Sequence, residues 1–290
     1  MLSKTTVSGL MTAISSHLLP LGERIDEYSR SCGWLKVSRT RAFLSHLFCS
    51  TAIVSLVLAV IFLAWYPQPY FAAAGAWSII RVLIGVDLVL GPLLTLIVFK
   101  PGKRLLIVDV AFIAIIQISA LLYGLTVLYQ ERPYYVVFAL DRIHVLAHKD
   151  IPADARDTHP WMRKPALEPV LASARRPQDM EARQRLLEET VFGSAPDIEQ
   201  RPALWVPLAE DLQALRDNAW SLELLRGAGE AQTRLADEIE ARHGDDAADL
   251  GLYPIMAAKN DAVAILDLTT GELLHVAAID PWSIISRELD

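Results

Sequence analysis

GVDLVLGPLLTLIVFKPGKRLLIVD, residues 85–109, decides how this chain folds. Two apolar runs meet at a tight basic turn built from Lys100, Pro101, Gly102 and Lys103. Asp87 and Asp109 sit inside runs that otherwise read as membrane. An ionised carboxylate in lipid is costly, so it faces a partner or carries a function.

Working outward, three runs are long and apolar enough to span a bilayer. They cover residues of about 42–65, 77–99 and 105–129. His46 interrupts the first run, and Trp65 and Tyr66 end it with interface-preferring aromatics. Lys36, Arg39 and Arg41 precede the first run, and Lys100, Lys103 and Arg104 join the second to the third. The loop between runs one and two has no Lys or Arg. The positive-inside rule then predicts a cytoplasmic N-terminus and turn, and an exocytoplasmic chain after Gln130. In a Gram-negative cell that compartment is the periplasm.

Composition agrees with a membrane part plus a soluble part. The hydrophobic fraction is 53% and the net charge −7, with acids gathered after Glu168. An acidic tail argues against nucleic acid as a partner. Cys32 and Cys49 both lie in the N-terminal half, so the other half has no disulfide framework. For residues 1–36 three readings stay open. They are a surface helix near Met11, a loosely ordered tail, or an untranslated extension ahead of an initiation at Val37.

After the third run, residues 134–140 and 143–147 read as strands, rich in β-branched and aromatic residues. Residues 148–176 read as loop. Helices are predicted over 179–191, over 208–225 with a break near Asn218, and over 229–243. A closing meander is predicted over 253–258, 262–268 and 272–278, with turns at Asn260-Asp261 and Thr270-Gly271. The fold class is therefore three transmembrane helices followed by a small α+β domain with an antiparallel sheet. The division is an extension (1–36), a three-span membrane domain (37–130) and a periplasmic domain (131–290).

Candidate site residues follow from depth. In an antiparallel hairpin, Asp87 matches Gln117, Thr95 matches Asp109, and Arg81 matches Tyr123. Each pair sums to 204, and each helix keeps its three residues within an arc of roughly 120° at helical pitch. A polar seam between spans two and three is expected. Asp87 and Asp109 differ in depth by about 10 Å and form no dyad. Asp87 reads either as a helix-fixing hydrogen-bond partner or as a proton relay, the first being the blander role. Pro92 is predicted to kink span two near Leu88. His148, Asp150, Asp154, Asp157 and His159 match no strong metal-ligand spacing. Ser283 and Ser286 lack an evident base. No enzymatic motif, metal or cofactor is read here.

Gly85, Val86 and Asp87, followed by Gly91, Pro92 and Thr95 and then by Phe99 and the basic turn, resemble the type IV pilin accessory proteins of the TfpX/TfpZ type. Similar features continue at Asp109, Gln117, Tyr123, Gly124, Arg132, Pro133, Asp141 and Arg142, and more loosely at Asp197, Arg201, Gly271 and Trp282. The resemblance implies a non-enzymatic inner-membrane factor that assists pilin assembly or pilus dynamics in a chaperone-like way. It implies type IV pilin and other pilus assembly proteins as partners, besides the bilayer. The alternative is a three-span sensor or transport subunit with a ligand-binding periplasmic domain.

Overall fold

The computed structural model describes residues 37–103, 105–163, 168–256, 262–277, 279–282 and 284. The readings placed on residues 1–36, on the turn at Asn260-Asp261 and on Ser283 and Ser286 lie outside the described residues.

The chain forms two compact units. One holds the described residues up to Val57 together with Ile79–Thr126; the other holds Leu58–Ser78 and the chain from Val127 on. Among the described residues three helices are long and apolar enough to cross a membrane: Arg39–Trp65, Trp77–Val98 and Leu106–Glu131. Large apolar side chains stay exposed along them, Phe48, Leu56 and Phe112 among them. Such surface is unfavourable in water and suits hydrocarbon.

The first span is α1 (Arg39–Val60), ending in a π turn at Ile61–Trp65. A five-residue helix, α2 (Tyr70–Ala74), lies in the connection that follows. The second span is α3 (Trp77–Ile84), a π turn (Gly85–Leu90) and α4 (Gly91–Val98). The third is α5 (Leu106–Glu131).

Among the described residues seven strands make one sheet in the order β4-β3-β1-β2-β5-β6-β7. They are β1 (Pro133–Ala139), β2 (Arg142–Ala147), β3 (Val170–Ala174), β4 (Trp205–Pro207), β5 (Leu250–Met256), β6 (Ala262–Asp267) and β7 (Leu273–Ala277). The sheet is mixed rather than purely antiparallel, because β1 pairs β3 in parallel and β2 pairs β5 in parallel. The strand β3 lies inside the stretch expected to be loop, and β4 was not anticipated. Both are too short to show an alternation: β3 is five residues with three small ones, and β4 is three residues ending in proline.

Burial explains the continuous apolar run of β1. Val136 and Phe138 face one core, while Tyr135, Val137 and Ala139 face another. A strand covered on both faces needs no polar alternation. Helix α7 (Leu212–Asn218) covers the first face with Leu215, which is fully buried. Helices α8 (Glu223–Ala228) and α9 (Glu230–His243) cover the far half of the other face through Leu225, Ala236 and Ile239. Helix α6 (Met180–Val191) is capped by Asp179, whose carboxylate accepts from the Ala182 N–H at 2.9 Å.

Tyr70 of α2 is buried in the same core as Val136, Phe138 and Tyr253. The connection between spans one and two is thus a structural part of the sheet unit, although some 60 residues separate it from β1 in sequence. Nearby, the Tyr66 hydroxyl donates to the Leu128 carbonyl at 2.8 Å, and the Trp65 ring meets Tyr129 edge-on at 5.2 Å.

Candidate functional site

The site is built where span two departs from regular helix. Pro92 has no N–H, and its ring crowds the carbonyl four residues back. The helix answers with the π turn at Gly85–Leu90, in which the Gly91 N–H reaches the Val86 carbonyl five residues back. The wider turn carries Asp87, which is only 6% exposed. Turns of this kind concentrate at functional positions.

Gly91 then admits a partner from span three. A Cβ at Gly91 would stand 1.9 Å from Gln117 Nε2, so only glycine lets that side chain lie across the helix. The Gln117 amide hydrogen-bonds the Asp87 carboxyl. Gln117 is itself 9% exposed. Thr95, one helical stretch further, is buried and shares a hydrogen bond of 2.6 Å with Nδ1 of His46 on span one. A cavity of about 170 Å³ lies among His46, Cys49, Ser50, Asp87 and Gln117. All three helices therefore supply polar side chains to one interior.

Other expected partners are arranged differently. Thr95 was expected opposite Asp109 but takes His46, because a third helix packs against the hairpin. Asp109 pairs with Lys103 Nζ at 2.5 Å, since it stands one turn into α5 and within reach of the long lysine arm. Arg81 is exposed and Tyr123 is 74% exposed, so no polar contact joins them. At that level Leu83 meets Gly124 instead, 3.5 Å from a Cβ placed there. His46 was not among the expected seam residues. An ionisable side chain inside an apolar run was the available signal.

The basic turn closes through a Lys103 N–H to Lys100 carbonyl bond of 3.1 Å, with Gly102 at φ +77°; Lys100 and Pro101 are exposed. Gly85 opens the π turn, with free space where a Cβ would stand. Arg132 lies over the Tyr129 ring, 3.6 Å from its centroid, and Pro133 begins β1. Asp141 and Arg142 form a two-point pair at 2.7 and 3.2 Å, which holds the Asp141 carboxyl below the usual range. Asp150 accepts the Ala147 N–H at 2.7 Å and His148 packs on Tyr134. Among the described residues no group of three or more His, Cys, Asp and Glu is placed to hold a metal.

Chemically, the interior offers a carboxyl, an imidazole, a hydroxyl and a carboxamide, engaged in pairs. Interhelical hydrogen bonds of this sort average about 0.6 kcal/mol and reach roughly 1.7. Together they link residues of all three helices.

The family model of fimbrial assembly protein FimB matches residues 35–75. The fimbrial assembly protein of serogroup I from Dichelobacter nodosus is 37% identical over 178 residues, 60% of this chain and 68% of that protein. Its serogroup E1 counterpart is 38% identical over 177 residues, again 68% of its length. The protein of serogroups C1 and C2 is 40% identical over 111 residues, 38% of this chain and 85% of its own length. No solved structure matches the chain.

Proposed function

The chain belongs to the fimbrial assembly proteins, a family of type IV pilus accessory factors, and from that premise we propose that it assists pilus assembly by contacting pilin at the inner membrane. It works without catalysis. A pilus subunit with an apolar helix must be drawn out of lipid, and a three-helix bundle with a pinned polar interior offers it a surface there. The N-terminus and the basic turn are cytoplasmic, and the sheet unit is periplasmic. The basic residues at Arg39, Arg41, Lys100 and Lys103 support this orientation. Tyr70, packed in the core of the sheet unit, agrees with the connection between spans one and two lying on the same side as that unit. Kinship with fimbrial assembly proteins carries the functional reading, and the fold supplies the surface.

The test is photo-crosslinking in intact bacterial membranes. Reactive side chains replace Phe48 on span one and Phe192 beyond α6, both strongly exposed. An adduct with the pilin subunit is expected from at least one site, and loss of surface pili on deletion of the gene. Pilus numbers unchanged by the deletion, or adducts that never contain pilin, overturn the proposal.

A further inference from the structure

The carboxyl ends of β1 and β3 lie side by side, since the strands are parallel with Ala139 opposite Ala174. Beyond them opens a cleft of about 510 Å³. That size suits a small ligand, and the carboxyl ends of parallel strands are where open sheets bind them. Phe138 and Leu140 contribute apolar side chains to its lining. Leu140 has φ +66°, a left-handed conformation that is uncommon outside glycine. The two-residue turn between Ala139 and Arg142 accounts for it, since hairpin loops of that length need a positive φ.

Arg175, Arg176 and Gln178 supply donors to the same cleft. Arg175 is pre-positioned. Its Nε donates to Asp211 Oδ1 at 3.1 Å and its Nη2 to the Glu210 carbonyl at 2.6 Å. Asp211 is held in turn by the Ser173 hydroxyl, which donates to Oδ2 at 2.5 Å from a residue only 1% exposed. The Arg175 and Asp211 charges cancel, and Arg176 is the other cation of the lining; it also acts on Asp141 outside the lining, whose carboxylate is already paired with Arg142. One planar, forked cation in a lining that also holds apolar side chains matches a carboxylate attached to an apolar group. A dianionic phosphate would exceed the available positive charge.

We propose that this cleft is a carboxylate-binding site, with Arg176 as the principal anchor and Arg175 as a fixed second donor. The ligand is an acid bearing an apolar side chain, presented by the end of a peptide or as a free molecule. The site rests on its own geometry and not on the pilus reading.

The full-length protein in lipid nanodiscs is titrated by calorimetry with N-acetyl-phenylalanyl-leucine, its C-terminal amide, N-acetyl-leucine and inorganic phosphate. The acids are expected to bind, the amide to bind at least about tenfold more weakly, and Arg176→Gln to cost the acids about tenfold or more. Arg176→Lys should recover only part of that loss, because it keeps the charge without the fork. Arg176 is exposed, so an unchanged melting temperature will show that both variants fold. A dipeptide that binds more tightly than N-acetyl-leucine assigns the peptide as source, and equal affinities assign the free acid; both support the site. No binding of either acid, equal binding of acid and amide, tighter binding of phosphate, or an indifferent Arg176→Gln overturns it.

Discussion

At Gly91 a single methyl group decides the interior of the helices. Gly91→Ala would drive a Cβ into Gln117 and push its amide away from Asp87. We expect this variant to loosen the bundle by about 1 kcal/mol or more and to lower pilus number at matched protein level. Normal piliation and an unchanged melting temperature would count against the seam. Asp87→Asn should be milder than Asp87→Leu, because an amide can still pair with Gln117. Equal and complete loss of function in the two would point to a proton relay instead. In the sheet unit, His144 gives a pH test. Burial pushes its imidazole down to about 4, Arg142 adding to the effect while Asp197 and Asp141 oppose it. The unfolded chain titrates near 6.5, so between those values it binds more protons than the folded chain. Stability should therefore fall as pH drops from about 6.5 to 4, by at most about 3 kcal/mol. Glu199, 3.7 Å from His144 Nδ1, is raised by burial and acts with the opposite sign at the acid end of that window. Melting temperatures across the window should flatten in His144→Phe and steepen in Glu199→Gln.

Among the elements, α2 is the least expected. Its five residues lie in a connection whose composition suggests nothing beyond a turn, yet Tyr70 is only 8% exposed and belongs to a core of the sheet, with α2 lying against β2 and β7. Tyr70→Ala should remove about 3 kcal/mol from the sheet unit, while Tyr70→Phe should be nearly neutral. A melting temperature that ignores Tyr70→Ala would disprove that packing. The π turn at Gly85–Leu90 was legible in part. Pro92 announced a disturbance near Leu88, but not that it would take the form of a wide turn carrying Asp87 inward. Strand β3 was hidden for a different reason. It is five residues long, with alanine or serine at three of them, and forms because both neighbours offer hydrogen bonds.

For the whole molecule, orientation is the decisive prediction. A reporter active only outside the cytoplasm should work when fused after Asp150 and fail at Gly102. The motive is the one-sided distribution of Arg39, Arg41, Lys100 and Lys103. Activity at Gly102 and silence after Asp150 would invert the proposed topology and remove the sheet unit from the periplasm.

Sequence alone determined the three apolar helices, the basic turn, the β1–β2 hairpin, the main helices and the closing meander. These depend on local hydropathy, period and turn chemistry, which a chain displays residue by residue. It also brought Asp87 and Gln117 to one depth, because helical rise is fixed. Only the tertiary structure decided that Thr95 meets His46, that Asp109 meets Lys103, that β1 and β2 each gain a parallel neighbour, and that Tyr70 belongs to a distant core. Each of these is a contact between segments far apart in sequence or a choice among several reachable partners. Packing and the satisfaction of buried polar groups settle such choices, and neither is written in any one stretch of the chain.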